Sequence, residues 1–164
     1  MSLKYTSQSI FISLIIAFIF HNIEEAVSIC SYPVQSPFQF IKPATCNQFL
    51  SAVSIITAVV LFAFGIAIRT KKPAVYLLLS TAIASGLVLN ALIPHIFVAI
   101  YTLNYTPGLI TAVTLNLPLG LIVLSKNKSS CESRKQFIQY VGIGLATGYL
   151  LFASVMRLVM LFIQ

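Results

Sequence analysis

Residues 9–28, SIFISLIIAFIFHNIEEAVS, decide the fold class, because a long apolar run there ends in a histidine and two glutamates. The run from Ser9 to Phe20 contains no charged side chain. Together with the turns that follow, it is about as long as the ~20 residues that an α-helix needs to cross the hydrocarbon core of a bilayer. We therefore predict a first transmembrane helix over about residues 8–29, with its ionisable groups near one end.

The composition of the whole chain extends this prediction. Of 164 residues, 59% are hydrophobic and only 8% are charged, with a mean hydropathy of +0.98. Soluble domains are about half apolar and about a quarter charged. The apolar runs predict an all-α membrane bundle of five transmembrane helices, at about residues 8–29, 47–68, 73–101, 107–124 and 136–163. One bundle uses the whole length, so we predict a single membrane domain over residues 1–164.

The basic residues predict how the bundle is oriented. Seven of the ten Lys and Arg residues lie in two segments, 69–72 and 126–135. With Lys4 they put eight basic residues on one side of the membrane, against Lys42 alone on the other, since Arg157 falls inside a span. The positive-inside rule then places the N-terminus in the cytoplasm and the C-terminus outside.

The net charge of +7 is explained by this placement, so we do not expect nucleic-acid binding. Basic loops of this kind contact anionic lipid headgroups. No organelle-targeting pattern is evident, and we expect a multi-pass protein of a bacterial inner membrane.

The N-terminal segment has a second interpretation. Lys4, the apolar stretch and the small residues at 26–28 resemble a cleavable signal peptide. Two carboxylates, Glu24 and Glu25, just before the cleavage position are unusual in such a peptide. We therefore favour a retained membrane helix.

The cysteines fit the predicted topology. Cys30 and Cys46 flank the first outer loop, where an oxidising compartment would allow a disulfide between them. They could instead be interfacial hydrophobic residues. Cys131 falls on the predicted inner side and is expected to stay reduced.

The ionisable groups inside the spans fall at one depth. A charged side chain at the centre of a lipid-facing helix costs roughly 3 kcal/mol, so such groups must face the bundle, become neutral or find a partner. At ~1.5 Å per residue, His21, Glu24 and Glu25 of the first span lie in the outer half of the bilayer. His95 of the third span and Arg157 of the fifth fall in the same half. This shared depth predicts one polar site built from several helices.

The local spacing supports such a site. Glu24 and Glu25 follow His21 at i+3 and i+4, so both carboxylates share a side of the helix with the imidazole. The two carboxylates are about 100° apart, and one could face a cavity while the other meets a neighbouring helix. Pro94 cannot donate a helical hydrogen bond to the carbonyl of Asn90, so we expect a kink there that turns Asn90 and His95 towards the bundle.

The sequence HNIEE at residues 21–25 resembles the signature of the HXXEE family of small bacterial and archaeal membrane proteins. Asn90 with His95, the turn Tyr105-Thr106-Pro107-Gly108 and the later Asn116-Leu117-Pro118 are similar to the second region of that family. The resemblance covers roughly the first span through the fourth. It implies that His21, Glu24 and Glu25 occupy the motif positions, and it implies no particular reaction.

These residues allow several functions. In the first, the protein is an enzyme that acts on a lipid or isoprenoid-like substrate by acid/base chemistry. The catalytic candidates are His21, Glu24, Glu25 and His95. The candidates for orienting the substrate are Asn90, Tyr105, Asn116 and Arg157. Imidazole and carboxylate groups also suit a divalent metal, zinc or iron, so the four catalytic candidates are candidate metal ligands too.

Three alternatives stay open at this point. The cluster could relay protons in a small transporter, for which five spans would require a homo-oligomer. The protein could be a non-catalytic membrane subunit of a complex. The ionisable residues could also form a structural network in which Arg157 neutralises a glutamate.

Overall fold

Five long apolar helices make up the part of the chain that the computed structural model describes, residues 8–32 and 44–163. Each is long and apolar enough to cross a membrane, so the prediction of an all-α chain with five candidate spans is confirmed. In chain order they are α1 (Gln8–Ser28), α2 (Cys46–Arg69), α3 (Pro73–Thr102), α4 (Leu109–Ser130) and α5 (Arg134–Phe162). Lys4 and Lys42, on which part of the orientation prediction depends, lie outside the described residues.

Two of the helices contain a π-helical segment. In α3 the segment Ala91–Phe97 separates α-helical Pro73–Asn90 from Val98–Thr102. In α4 the segment Ala112–Asn116 precedes Leu117–Ser130. A π segment widens the helical turn locally, and such segments are frequent at functional sites.

The helix α4 differs from the span predicted at about residues 107–124, by two residues at its start and six at its end. The helix begins at Leu109 because Pro107 and Gly108 belong to the preceding turn, and it continues past the predicted end at residue 124 to Ser130. The buried side chain of Asn127 explains the extension: its Nδ2 donates to Ser80 Oγ at 2.8 Å and to Thr81 Oγ1 at 3.0 Å. These bonds hold the last turns of α4 against α3.

The main apolar core lies between α1, α2, α3 and α4. Phe11 is fully buried, and its ring makes edge-to-face contacts with Phe64 and Tyr76, at centroid distances of 5.2 and 5.6 Å. The buried residues of the core come from four helices: Phe11, Leu14, Ile15, Phe18, Ala67, Ala84, Leu87 and Val123. Many other large apolar side chains are exposed on the outside of the bundle, as lipid contact requires.

A polar link and a covalent link join α1 to α2. The Asn22 amide of α1 donates to Thr57 Oγ1 of α2 at 2.6 Å. Cys30 and Cys46 are joined by a disulfide in the structure, with Cα atoms 5.3 Å apart. This bond connects the end of α1 to the start of α2, next to the residues of the HNIEE sequence.

Candidate functional site

Three buried side chains converge at the end of the bundle where α1 and α3 finish and α4 begins. Glu25 Oε1 lies 3.3 Å from His95 Nε2 and 3.6 Å from His21 Nε2. One ligand atom of each residue lies within 4.8 Å of the other two. The residues are 9%, 3% and 0% exposed in that order. We call this group the His/Glu cluster. It joins three of the four residues predicted as catalytic.

The π segment of α3 brings Asn90 and His95 to the same point. Five residues apart, their side chains would be separated on a regular α-helix, but the wider turn around Pro94 aligns them. Asn90 Nδ2 lies 3.1 Å from His21 Nε2 and 3.2 Å from His95 Nε2. In place of the predicted kink, the helix has a π segment at Pro94. This segment turns the side chains of Asn90 and His95 towards the bundle.

The partners of His21 define its protonation. Nδ1 lies 3.1 Å from the carbonyl oxygen of Gly108 and 3.1 Å from Thr111 Oγ1. A carbonyl oxygen only accepts, so Nδ1 carries the hydrogen and Nε2 of the neutral ring offers a lone pair. The Asn90 amide can then donate one N–H to each imidazole Nε2. A nitrogen lone pair of His21 and a carboxylate oxygen of Glu25 thus lie beside Nε2 of His95, which favours a cation or a shared proton between the three groups.

Gly108 closes the cluster on the side of the α3–α4 turn. Its φ of +82° is in the left-handed region, which favours glycine. A Cβ at this position would lie 2.7 Å from Glu25 Cγ, 2.7 Å from His21 Cε1 and 3.0 Å from His95 Cε1. The backbone of Gly108 can approach the three side chains only because it has no side chain of its own.

Glu24 points away from the cluster, towards the start of α4. Its Oε1 accepts from the Tyr105 hydroxyl at 2.6 Å and from the backbone N–H of Ile110 at 3.1 Å. Its Oε2 accepts from the backbone N–H of Thr111 at 2.8 Å and from Thr111 Oγ1 at 2.6 Å. A carboxylate at a helix N-terminus satisfies free N–H groups and interacts favourably with the helix dipole. Glu24, predicted as catalytic, thus anchors a neighbouring helix.

Tyr105, predicted to orient a substrate, contributes to this anchor. Burial raises the pKa of its hydroxyl, and the hydrogen bond to Glu24 raises that pKa further. The hydroxyl therefore stays protonated and donates to Glu24 at neutral pH. The ring also contacts that of Tyr32, with centroids 5.3 Å apart.

Two of the predicted orienting residues make no hydrogen bond or ion pair with the cluster in the part of the chain that the structure describes. Asn116 is fully buried in the π segment of α4, and neither atom of its amide has a hydrogen-bond partner within residues 8–32 and 44–163. Arg157 is exposed on α5 and, in the same part of the chain, makes no ion pair with Glu24 or Glu25. The structure does not place Arg157 as their counter-ion.

Two residues at the site were not predicted. Gly108 was noted only as part of the Tyr105–Gly108 turn, and its role comes from a backbone carbonyl that no sequence pattern reveals. Thr111 contacts both His21 and Glu24, which precede it by 90 and 87 residues. The one local pattern that linked Thr111 to the site was its position three residues after Gly108.

Comparison with known proteins identifies the family to which this chain belongs. A family model described as "Protein of unknown function with HXXEE motif" matches residues 12–123, which is 112 of the 164 residues. The chain belongs to the HXXEE family. Within its motif, the His21 imidazole and the second acid, Glu25, enter the cluster, whereas the first acid, Glu24, anchors α4.

One bacterial protein is similar over much of the chain. The uncharacterized protein YrkK of Bacillus subtilis (strain 168) is 35% identical over 105 residues. The similarity covers 63% of this chain and 65% of YrkK, so it spans just under two thirds of the relative's length. No solved structure matches the chain.

Proposed function

We propose that this HXXEE protein is a membrane-embedded enzyme that acts on a lipid or isoprenoid-like substrate with the help of a divalent zinc or iron ion. His21, Glu25 and His95 would be the metal ligands. The observation that supports this most directly is the convergence of their donor atoms, at 3.3 and 3.6 Å from the shared Glu25 oxygen.

These distances suit a single ion. Zinc binds imidazole nitrogen and carboxylate oxygen at about 2.0–2.2 Å, so two ligands of one tetrahedral ion lie about 3.3–3.5 Å apart. Two imidazoles with one carboxylate form a ligand set used by hydrolytic zinc enzymes and by non-haem iron oxygenases, which keep further positions open. The Asn90 amide lies within 3.2 Å of Nε2 of both imidazoles, and its hydrogen bonds to them would give way to the ion.

The charges at the cluster also support a cation. Glu25 is buried, and a buried carboxylate is costly unless a positive charge compensates it. Within the described residues, its ion-pair partners are the two histidines, and no Lys or Arg takes part. A divalent ion would neutralise the carboxylate and use both imidazole lone pairs.

The surroundings favour an amphiphilic substrate. The cluster lies in membrane-spanning helices, and neighbouring residues such as Phe20, Ile23 and Phe97 expose large apolar side chains. A lipid could contact these side chains while its polar group reached the ion. The bound metal would act as a Lewis acid or activate a water molecule.

A comparison of cellular lipids tests the proposal. Lipids would be extracted from cells that express the wild-type protein, the His21→Gln variant or the exposed-site control Thr114→Val. We expect one lipid class to accumulate with His21→Gln and to return to its normal level with the wild type and the control. Identical lipid profiles in all three strains, at equal protein levels, would contradict the proposal.

A proton-coupled carrier is a second candidate, supported by the two π segments on α3 and α4 that approach each other at the cluster. Irregular backbone at membrane depth is characteristic of transporter sites, where it lines a polar cavity. In liposomes this candidate predicts proton movement that depends on Glu25, without chemical conversion of a lipid.

A further inference from the structure

We propose that Thr111 and Glu24 are positioning residues, which hold the His21 ring in the tautomer that leaves Nε2 free to bind the ion. The inference rests on the proposed function as far as the metal is concerned. Its structural basis is a continuous chain of hydrogen bonds, from His21 Nδ1 to Thr111 Oγ1 at 3.1 Å and from Thr111 Oγ1 to Glu24 Oε2 at 2.6 Å.

The direction of each hydrogen bond follows from the chemistry of the groups. The Thr111 hydroxyl has one hydrogen, and its shortest contact is with a carboxylate oxygen, which only accepts when ionised. Thr111 therefore donates to Glu24 and accepts from the N–H at His21 Nδ1. The Gly108 carbonyl, also 3.1 Å from that nitrogen, is a second acceptor.

The far end of the chain is held rigidly. Glu24 cannot turn away from Thr111 without losing its bonds to the backbone of α4 and to the Tyr105 hydroxyl. The orientation of α4 thus fixes the orientation of the His21 ring. Partners of this kind, beyond the ligands themselves, set the tautomer and raise the basicity of metal-binding histidines.

The two adjacent acids of the HXXEE motif would then have separate tasks. Glu25 binds the ion directly, and Glu24 acts on the ion through Thr111 and His21. Loss of a partner that orients a metal ligand typically lowers metal affinity about 10- to 100-fold. Because the Gly108 carbonyl remains as an acceptor, we expect the lower end of that range for loss of Thr111.

Metal titration of purified full-length protein tests the inference. The probe is Co(II), followed by its absorption spectrum. We expect Thr111→Val, which keeps the shape but lacks the hydroxyl, to bind about 10-fold more weakly than the wild type. Thr111→Ser should restore the affinity. Thr114→Val is the matched control, since within residues 8–32 and 44–163 that exposed hydroxyl on the same helix bonds locally, to the Ile110 carbonyl. Equal affinities for wild type and Thr111→Val would overturn the inference.

A measurement on the metal-free wild type covers the case in which Thr111→Val does not fold. The chain has two histidines, so ¹⁵N-histidine labelling gives two imidazole signal sets, assigned with His95→Gln. We expect hydrogen at Nδ1 and none at Nε2 of neutral His21, and an Nε2–H tautomer would overturn the inference. A wild type with the expected tautomer that binds no metal would contradict the proposed function and leave the orienting role intact.

Discussion

At the scale of single residues, Glu24 and Glu25 show how adjacent, chemically identical side chains can have different environments. A helix turns about 100° per residue, so one carboxylate meets the two histidines and the other meets the start of α4. Glu25 has imidazole neighbours and Glu24 has four hydrogen-bond donors. The difference predicts that their substitutions have different effects.

Glu24→Gln should lower thermal stability in detergent, because a neutral amide cannot accept all four hydrogen bonds. Each bond to a charged group contributes about 1.5–3 kcal/mol, and the partial exposure of Glu24 favours the lower value. Glu25→Gln should unfold near the temperature of the metal-free wild type and retain no metal. Thermal unfolding and metal analysis of the same samples separate the two effects. Metal loss in Glu24→Gln with normal metal in Glu25→Gln would reverse our assignment.

Gly108→Ala should disrupt the cluster even though it adds only a methyl group. The left-handed backbone alone costs a non-glycine residue about 1–2 kcal/mol, and the new Cβ would overlap His21 and Glu25. We expect a lower unfolding temperature and loss of bound metal. Gly148→Ala is the control, because a Cβ there meets nothing within 4 Å. A Gly108→Ala protein that matched this control would contradict the close approach of the turn.

At the scale of helices, the π segment of α3 places Asn90 and His95, which are five residues apart, on the same face of the helix. Pro94 supplies no backbone hydrogen to the Asn90 carbonyl, and the wider turn accommodates the missing bond. The irregular helix thereby places Asn90 and His95 against His21. The helix is thus irregular at the point where the Asn90 and His95 side chains meet.

Pro94→Ala should therefore stabilise the helix and damage the site. Alanine restores the hydrogen-bond donor and favours a regular α-helix, on which His95 would rotate away from Asn90. We expect equal or higher thermal stability with metal affinity reduced at least about 10-fold, as for other losses of ligand orientation. Ile93→Ala, at an exposed neighbouring position, is the control. Unchanged metal affinity in Pro94→Ala would show that the π segment does not position His95.

Hydropathy and spacing predicted the five helices and included all three residues of the His/Glu cluster among the candidates, because burial of charge in a membrane leaves few alternatives. They could not predict that α4 continues to Ser130, since Asn127 bonds to Ser80 and Thr81, which precede it by 47 and 46 residues. Nor could they reveal Thr111, whose partners lie on another helix, or choose between Glu24 and Glu25 at the cluster. Arg157 shared the expected depth but is exposed on α5, and depth along a helix does not define the direction of a side chain.

At the scale of the whole molecule, the two ends of the bundle differ chemically. One end has the His/Glu cluster and the Cys30–Cys46 disulfide. The other has the short basic connections, with Lys71 and Lys72 before α3 and Arg134 at the start of α5. Disulfides form in oxidising compartments and basic loops stay in the cytoplasm, so both features favour an N-terminus inside.

Cysteine labelling tests this orientation. A membrane-impermeant maleimide should label Cys131 in inside-out vesicles and not in intact cells, whereas Cys30 and Cys46 should react from outside only after reduction. Burial raises the pKa of the Cys131 thiol, so less thiolate is present at neutral pH and labelling should speed up at mildly alkaline pH. Cys131→Ser is the control. Labelling of Cys131 in intact cells would reverse the orientation.

X-ray absorption at the zinc or iron edge tests for a metal at the His/Glu cluster, on protein purified without chelators and with metal content determined on the same sample. We expect one ion per chain, with two imidazoles and one carboxylate at about 2.0–2.2 Å. That signal should disappear in the His21→Gln and Glu25→Gln variants and persist in Thr114→Val. Metal content in the wild type no higher than in these two ligand variants, after reconstitution with zinc or iron, would contradict a metal centre at the His/Glu cluster.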